Sequence, residues 1–252
     1  MTSKIALITG GSRGLGRNAA LHLARAGVGV LITYRSQAEE ADEVVRLARE
    51  AGAKAAALRL DVAEPASFAG FAEAVQAALR DVFGAERFDY LVNNAGSGVH
   101  ASVAETTEDQ LDAMFAQHVK GPFLLTQALL PLLGDGGRVL NLSSGLTRMT
   151  LPGYAAYAAA KGAVEVVTRY MAQELAGRGI SVNTLAPGAI ETDFGGGAVR
   201  DNEALNEQIA SSTAMGRAGL PDDIGGAVAG FLTMDSNWMT AQRIEVSGGQ
   251  GM

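Results

Sequence analysis

The sequence predicts an α/β fold: one domain built on a doubly wound sheet of about seven parallel strands, with helices on both faces. Three observations predict it. Short apolar runs alternate with stretches of helical period along nearly all of the 252 residues. The first apolar run opens into a glycine-rich turn and then a helix. No linker or internal repeat divides the chain.

The elements follow in order. Ile5 to Thr9 is a short buried strand, followed by Gly10-Gly11-Ser12-Arg13-Gly14-Leu15-Gly16 and a helical pattern through Ala26. Strand, glycine turn and helix make the first half of a dinucleotide-binding, Rossmann-type unit. Glycines let the backbone approach a pyrophosphate, and the helix N-terminus offers free N–H groups and a positive dipole end. The spacing is Thr-Gly-x-x-x-Gly-x-Gly rather than the tighter G-x-G-x-x-G, and an ordinary strand-to-helix turn is the alternative.

Val28 to Thr33 is the second strand, ending at Tyr34-Arg35-Ser36. An acidic side chain here would hold the ribose 2′-hydroxyl of NAD. None is present, and Arg35 and Arg13 can instead pair with a 2′-phosphate; for Arg35 the alternative is a solvated loop cation. Ala41, Val44, Val45 and Ala48 repeat at helical spacing. Ala55 to Leu60 is the third strand, followed by Asp61-Val62, and Phe88 to Val92 the fourth, running into Asn93-Asn94-Ala95-Gly96. Ligands bind beyond the C-terminal ends of such strands, where Tyr34, Asp61, Asn93 and the glycine turn all fall.

Leu111, Met114, Phe115, His118 and Val119 form one apolar helix face, and that helix is expected to bend or end near Gly121-Pro122. Arg138 to Leu142 is the fifth strand, leading to Ser143-Ser144. Ile180 to Leu185 is the sixth, closed by Pro187-Gly188. Residues 189–219 depart from the pattern: Gly195, Gly196 and Gly197 precede a polar helical stretch, Asn202 to Ala210, which reads as a mobile substrate-binding lid. Pro221 starts a last helix, and Gln242 to Val246 is the seventh strand.

Composition narrows the function classes. No cysteine is present, so there is no disulfide framework or thiolate metal site, and a reducing cytoplasm is the expected compartment. The net charge of -7 and the lack of a basic stripe argue against nucleic acid. Met1-Thr2-Ser3-Lys4 leads into the first strand without a leader pattern, and no apolar run is long enough to span a bilayer. Three scattered histidines, His22, His100 and His118, make a catalytic metal improbable.

One further helix carries Tyr157 and Lys161, one turn apart on one face and separated by three alanines. A phenol alone is a poor acid at neutral pH. A neighbouring ammonium favours the phenolate, so the pair is expected to work as a general acid/base near neutrality. A buried tyrosine beside a solvated lysine is the alternative.

The Thr9–Gly16 turn, Asn93-Asn94-Ala95-Gly96, Ser144, Tyr157-x-x-x-Lys161 and Pro187-Gly188 occur in that order with family-like spacings. As a set they resemble the short-chain dehydrogenase/reductase family, with the 3-oxoacyl-[acyl carrier protein] reductase-like branch nearest in pattern, and Arg13 and Arg35 are similar to that branch's NADP-preferring residues. The resemblance implies hydride transfer between a nicotinamide and a carbonyl or alcohol carbon. It implies Tyr157 as proton donor to the carbonyl oxygen, Ser144 as its hydrogen-bond partner, and Lys161 on the nicotinamide ribose. It also implies Asn93, Ala95 and Gly96 walling the cofactor cleft, Asp61 and Val62 flanking the adenine, and Ile190 and Thr192 on the carboxamide. The family's relay asparagine falls on His118, which is either a relay residue or a satisfied core histidine. A homotetramer is implied too, paired through the helices beginning near Gln110 and at Tyr157.

The expected activity is therefore an NADPH-dependent carbonyl reductase acting on a small molecule. NAD-dependent alcohol oxidation and a catalytically idle cofactor-binding regulator are the alternatives. A serine hydrolase fails, because Ser143-Ser144 lacks a G-x-S-x-G elbow and no histidine follows it.

Overall fold

The computed structural model describes residues 4–252; Met1, Thr2 and Ser3, part of the segment read above for a leader, lie outside the described residues. The strands are β1 (Ile5–Ile8), β2 (Gly29–Tyr34), β3 (Ala55–Arg59), β4 (Phe88–Asn93), β5 (Leu133–Leu142), β6 (Ser181–Pro187) and β7 (Arg243–Val246). They form one sheet in the order β3-β2-β1-β4-β5-β6-β7, and every pairing is parallel. Strand order reverses between β1 and β4, which opens a crevice beyond their C-terminal ends.

Both sheet faces are covered, so the strands read as continuous apolar runs. In β1, Ala6 and Ile8 join one core cluster while Ile5 and Leu7 join the other. The first cluster takes in α1 (Gly14–Arg25), α2 (Ala38–Glu50) and the late helix Pro221–Thr233. The second takes in α3 (Phe68–Ala78) and the helices Gly121–Leu129 and Ala155–Leu175.

The helix expected to bend or end near Gly121-Pro122 runs through them. Thr107 and Gln110 form a capping box at the start of α4 (Glu108–Phe115). A π turn, Ala116–Lys120, follows, and the Gly121 N–H donates to the Ala116 carbonyl five residues back. α5 (Gly121–Leu129) then continues. The widened turn shifts the hydrogen-bond frame just before Pro122, where a missing N–H is tolerated. Gly121 is needed here, since a Cβ would lie 2.0 Å from the Val62 carbonyl oxygen. Met114 and His118 are buried, whereas Leu111 and Phe115 are exposed, so the apolar face faces the core only in part.

β5 begins five residues before the strand expected at Arg138. Its first half holds Gly134, Gly136 and Gly137, with Gly136 at φ 72°, and its register against β4 shifts there. α6 (Ala155–Leu175) follows β5. Between β6 and the last helix lie three successive left-handed glycines, Gly195, Gly196 and Gly197 (φ 62°, 74° and 81°). After them come α7 (Ala198–Asp201), α8 (Glu203–Ser211), capped by Asn202, and α9 (Pro221–Thr233). An Ile190–Gly219 bridge closes the base of this segment. Among the described residues no helix is long and apolar enough to cross a membrane.

Candidate active site

The glycine turn is clamped by β2 and by the residues that follow β4. The Gly10 N–H donates to Thr33 Oγ1 (3.2 Å) and the Gly11 N–H to the Thr33 carbonyl (2.8 Å). Asn94 Nδ2 donates to the carbonyls of Thr9 (2.8 Å) and Gly10 (3.1 Å). Thr9 Oγ1 accepts from the N–H groups of Asn94 and Ala95. Gly16 packs so tightly that a Cβ would sit 2.2 Å from the Gly10 oxygen, whereas Gly14, at φ 56°, faces open space. Ser12 is buried, and Leu15 packs on the first core cluster. The result is a bare backbone concavity at the N-terminus of α1, and its shape fits a pyrophosphate.

Arg13 precedes α1 and is exposed, as is Arg35 beyond β2. Among the described residues, no side-chain hydrogen bond or ion pair engages either guanidinium. Arg59, missed in the sequence, joins them at the end of β3, its Nε donating to the Arg35 carbonyl (3.2 Å). Tyr34 packs on the core beneath.

Three cleft residues are fixed by local contacts of their own. Val62 is buried among Leu60, Phe68 and Phe71, so only its backbone is left to flank an adenine. Asp61 forms a turn, accepting from the Ala63 N–H (2.9 Å). Asn93 turns its side chain into the core, where Nδ2 donates to Thr126 Oγ1 (3.1 Å) and Asn141 Oδ1 (2.8 Å). It braces the sheet, and Asn94 is the residue that reaches the turn. Ala95 lies against Gly10, while Gly96 seats the His118 ring, leaving no room for a Cβ. Pro187 ends β6, the Gly188 N–H donates to Val246, Ile190 forms the bridge to Gly219, and Thr192 Oγ1 accepts from the Phe194 N–H.

Tyr157, Lys161 and Ser144 converge. β5 ends at Leu142, so Ser144 stands just past the strand edge, with Oγ accepting from the Leu146 N–H (3.2 Å). Tyr157 and Lys161 are both buried on α6. Burial pushes the phenol up to about 12, against a downward pull from its hydrogen bond with Ser144. The expected depression of the phenol by Lys161 is therefore not what the structure shows. Lys161 Nζ donates to the Leu142 carbonyl (2.7 Å) and lies 5.6 Å from the Tyr157 ring centroid. Its own burial brings it down to about 7, so it is not a full cation beside the phenol at neutral pH.

His118 lies on the other side of Tyr157, ring centroids 5.3 Å apart and nearly perpendicular. Its Nε2 bonds the Ser97 carbonyl (2.7 Å), which makes Nε2 the donor and Nδ1 the acceptor. Nδ1 is buried without a hydrogen-bond partner. Burial, with the nearby Lys161 charge, pushes the imidazole down to about 3.

Comparison with known proteins decides the family. Residues 10–250 match a family model described as enoyl-(acyl carrier protein) reductase. A short-chain type dehydrogenase/reductase of Picea abies is 36% identical, over 98% of this chain and 92% of the relative. The chain belongs to the short-chain dehydrogenase/reductase family. The promiscuous reductase LugOII, which catalyses keto-reduction at C1 during lugdunomycin biosynthesis, is 40% identical, with a TM-score of 0.92 over 98% of this chain and 97% of its own. The landomycin C-6 ketoreductase LanV, solved with bound NADP and rabelomycin, is 34% identical, with a TM-score of 0.89 over 99% and 97%.

This short-chain dehydrogenase/reductase also carries a charged brace behind Ser144. Glu165 Oε1 accepts from Ser143 Oγ (2.6 Å), Thr147 Oγ1 (2.7 Å) and Arg243 Nε (2.8 Å). Arg243 also donates to the Ser144 carbonyl (3.3 Å) and to Glu245 (2.8 Å). The brace ties α6 and β7 to the turn that presents Ser144. Glu165 was discoverable, lying four residues after Lys161 on the same helix face. Glu245 lies only two residues from Arg243, but the partners that make Arg243 part of the brace, Glu165 and Ser144, lie 78 and 99 residues away, so the sequence carried no local signal for it.

Proposed function

We propose that this protein is an NADPH-dependent carbonyl reductase in which Tyr157 is the general acid. The observation that carries the reading is the convergence of Ser144, Tyr157 and Lys161 beyond the sheet edge, next to a glycine turn flanked by unengaged arginines. When bound, the reduced nicotinamide supplies the hydride. Gly10, Ser12, Gly14, Leu15 and Gly16 shape the phosphate cradle, and Arg13 and Arg35 take the 2′-phosphate as charge-assisted partners, with Arg59 alongside. Asp61, Val62, Asn93, Ala95, Gly96, Pro187, Gly188, Ile190 and Thr192 border the rest of the cleft, Val62 and Asn93 through their backbones.

At the carbonyl, the Ser144 and Tyr157 hydroxyls both reach the substrate oxygen and oppose its developing charge. A phenol held near 12 is a weaker acid than a free phenol but stays protonated at neutral pH, so it gives its proton as negative charge develops on the carbonyl oxygen after hydride arrives. Lys161, brought to about 7, can hold or release a proton at Nζ behind the phenol. His118 Nδ1 supplies an acceptor in the same pocket, which supports the relay reading. Residues 189–219 act as the substrate-binding lid, turning on the three left-handed glycines. The exposed side chains of Leu111 and Phe115 on α4, Phe123 on α5, and Val166 and Tyr170 on α6 support a homotetramer. A cytoplasmic location fits the cysteine-free sequence. A spectrophotometric panel of carbonyl compounds with NADPH and with NADH tests the reading. NADPH oxidation dependent on a ketone or aldehyde supports it, and equal or better use of NADH overturns the cofactor assignment.

A further inference from the structure

We infer that the site takes a neutral, planar aromatic ketone and that Phe194 is the residue selecting for it. This rests on the carbonyl-reductase reading above. Phe194 opens the glycine triplet of the lid, and its ring lies 5.4 Å from that of Tyr157, tilted by 53°. It is 40% exposed, although it sits beside a buried tyrosine. Its ring tip rests on Gly98, where a Cβ would come within 2.5 Å. His100 rests on Gly153 in the same way, at 2.4 Å, and packs edge to face with Tyr154 at 5.0 Å. Two aromatic walls are thus seated on bare glycine backbone. Flat walls without projecting side chains admit a flat molecule, and ring faces and edges favour a second ring in offset or edge-to-face contact. Leu151 and Met215 stay exposed on the neighbouring loops and add apolar surface.

Charge around the lid points the same way. Arg148 is gripped by both oxygens of Glu245 (2.9 and 2.6 Å) and by the carbonyls of Gln250 and Gly251. Arg200 pairs with Asp193 and Asp201, and Arg217 with Asp223. Glu191 accepts from Asn206. An anionic substrate, such as an acyl thioester of coenzyme A or of an acidic carrier protein, would have to displace a carboxylate to engage Arg148, Arg200 or Arg217. A neutral ketone disturbs none of these pairs. Its reduction adds hydride to the carbonyl carbon and a proton to the oxygen, converting C=O to CH–OH, with the reduced nicotinamide as the two-electron donor.

The test uses the full chain and three ketones: 1-tetralone, 2-decanone and acetoacetyl-coenzyme A. Calorimetric titration of each into NADP⁺-loaded protein is paired with turnover on NADPH. The bicyclic aromatic ketone should bind and turn over about tenfold better than either competitor, the scale of one aromatic contact. Phe194→Ala should erase that preference with NADP⁺ affinity retained, Phe194→Leu should fail to restore it, and Phe194→Tyr should restore it. Equal handling of 1-tetralone and 2-decanone, or a preference that survives in Phe194→Ala, overturns the aromatic selection. A preference for acetoacetyl-coenzyme A overturns the neutral-substrate assignment. Absence of NADP⁺ binding, or of turnover on all three ketones and a wider carbonyl panel, overturns the reductase reading itself and this inference with it.

Discussion

Protonation of His118 should destabilise the fold in a pH window of its own. The native imidazole sits near 3, against an ordinary value of 6.5, because burial penalises its charge and Lys161 adds to the penalty. Between those values the unfolded chain binds a proton that the native state does not, so stability rises with pH there and is lost as pH falls below 6.5. Acidification from pH 7 to 5 spans about 1.5 units below the unfolded value, which corresponds to about 2 kcal/mol. For a chain of this length that is a fall in Tm of roughly 4–8 °C. Lys161, near 7 against an ordinary 10.5, is half protonated at pH 7 and adds only about 0.4 kcal/mol over the same interval, a contribution that His118→Asn retains. Asp223 and Glu245, held near 2 by their arginine partners, contribute only below the ordinary carboxylate range. Thermal melts of the wild type and of His118→Asn at pH 7 and pH 5 therefore isolate the imidazole, and the variant should lose most of the shift. Equal shifts in the two proteins would refute the reasoning.

Replacing Tyr34 with Asp together with Arg35→Ala should reverse the cofactor preference, because a charge-assisted contact to the 2′-phosphate is worth about 1.5–3 kcal/mol, or roughly ten- to hundredfold in affinity; fluorescence titration with NADPH and NADH reads it. Glu165→Gln should cost about 2–3 kcal/mol in chemical denaturation, since a carboxylate accepting three hydrogen bonds loses its charge assistance, and turnover should fall as the Ser144 turn loosens. The double variant Leu111→Glu, Phe115→Glu should shift the protein from tetramer toward smaller species in light scattering, and a wild-type monomer at micromolar concentration would contradict the assembly.

The sheet was legible because its evidence is local: β1 through β7 each lie within a residue or a few of an apolar run. The glycine turn and the Tyr157–Lys161 pair were legible for the same reason, being short-range patterns with a mechanism. What escaped depends on burial and on distant partners. The spacing of Tyr157 and Lys161 suggested an activated phenol, but only the fold shows Lys161 turned to the Leu142 carbonyl and itself partly neutralised. Asn93 and Asn94 are adjacent and chemically identical, yet one braces the core and the other holds the turn, because successive residues at a strand end point to opposite sides. The π turn at Ala116–Lys120 has no sequence signature, and Pro122 pointed instead to a break.

The central claim is that Tyr157 protonates the substrate. Its most direct test is turnover of Tyr157→Phe on an accepted ketone, measured beside NADPH affinity. The substitution removes one hydroxyl and leaves the ring between His118 and Phe194. Turnover should fall by about 10²–10⁴, the worth of a positioned acid, while NADPH binding persists because the glycine turn and Lys161 are untouched. Unchanged turnover in Tyr157→Phe would contradict the account.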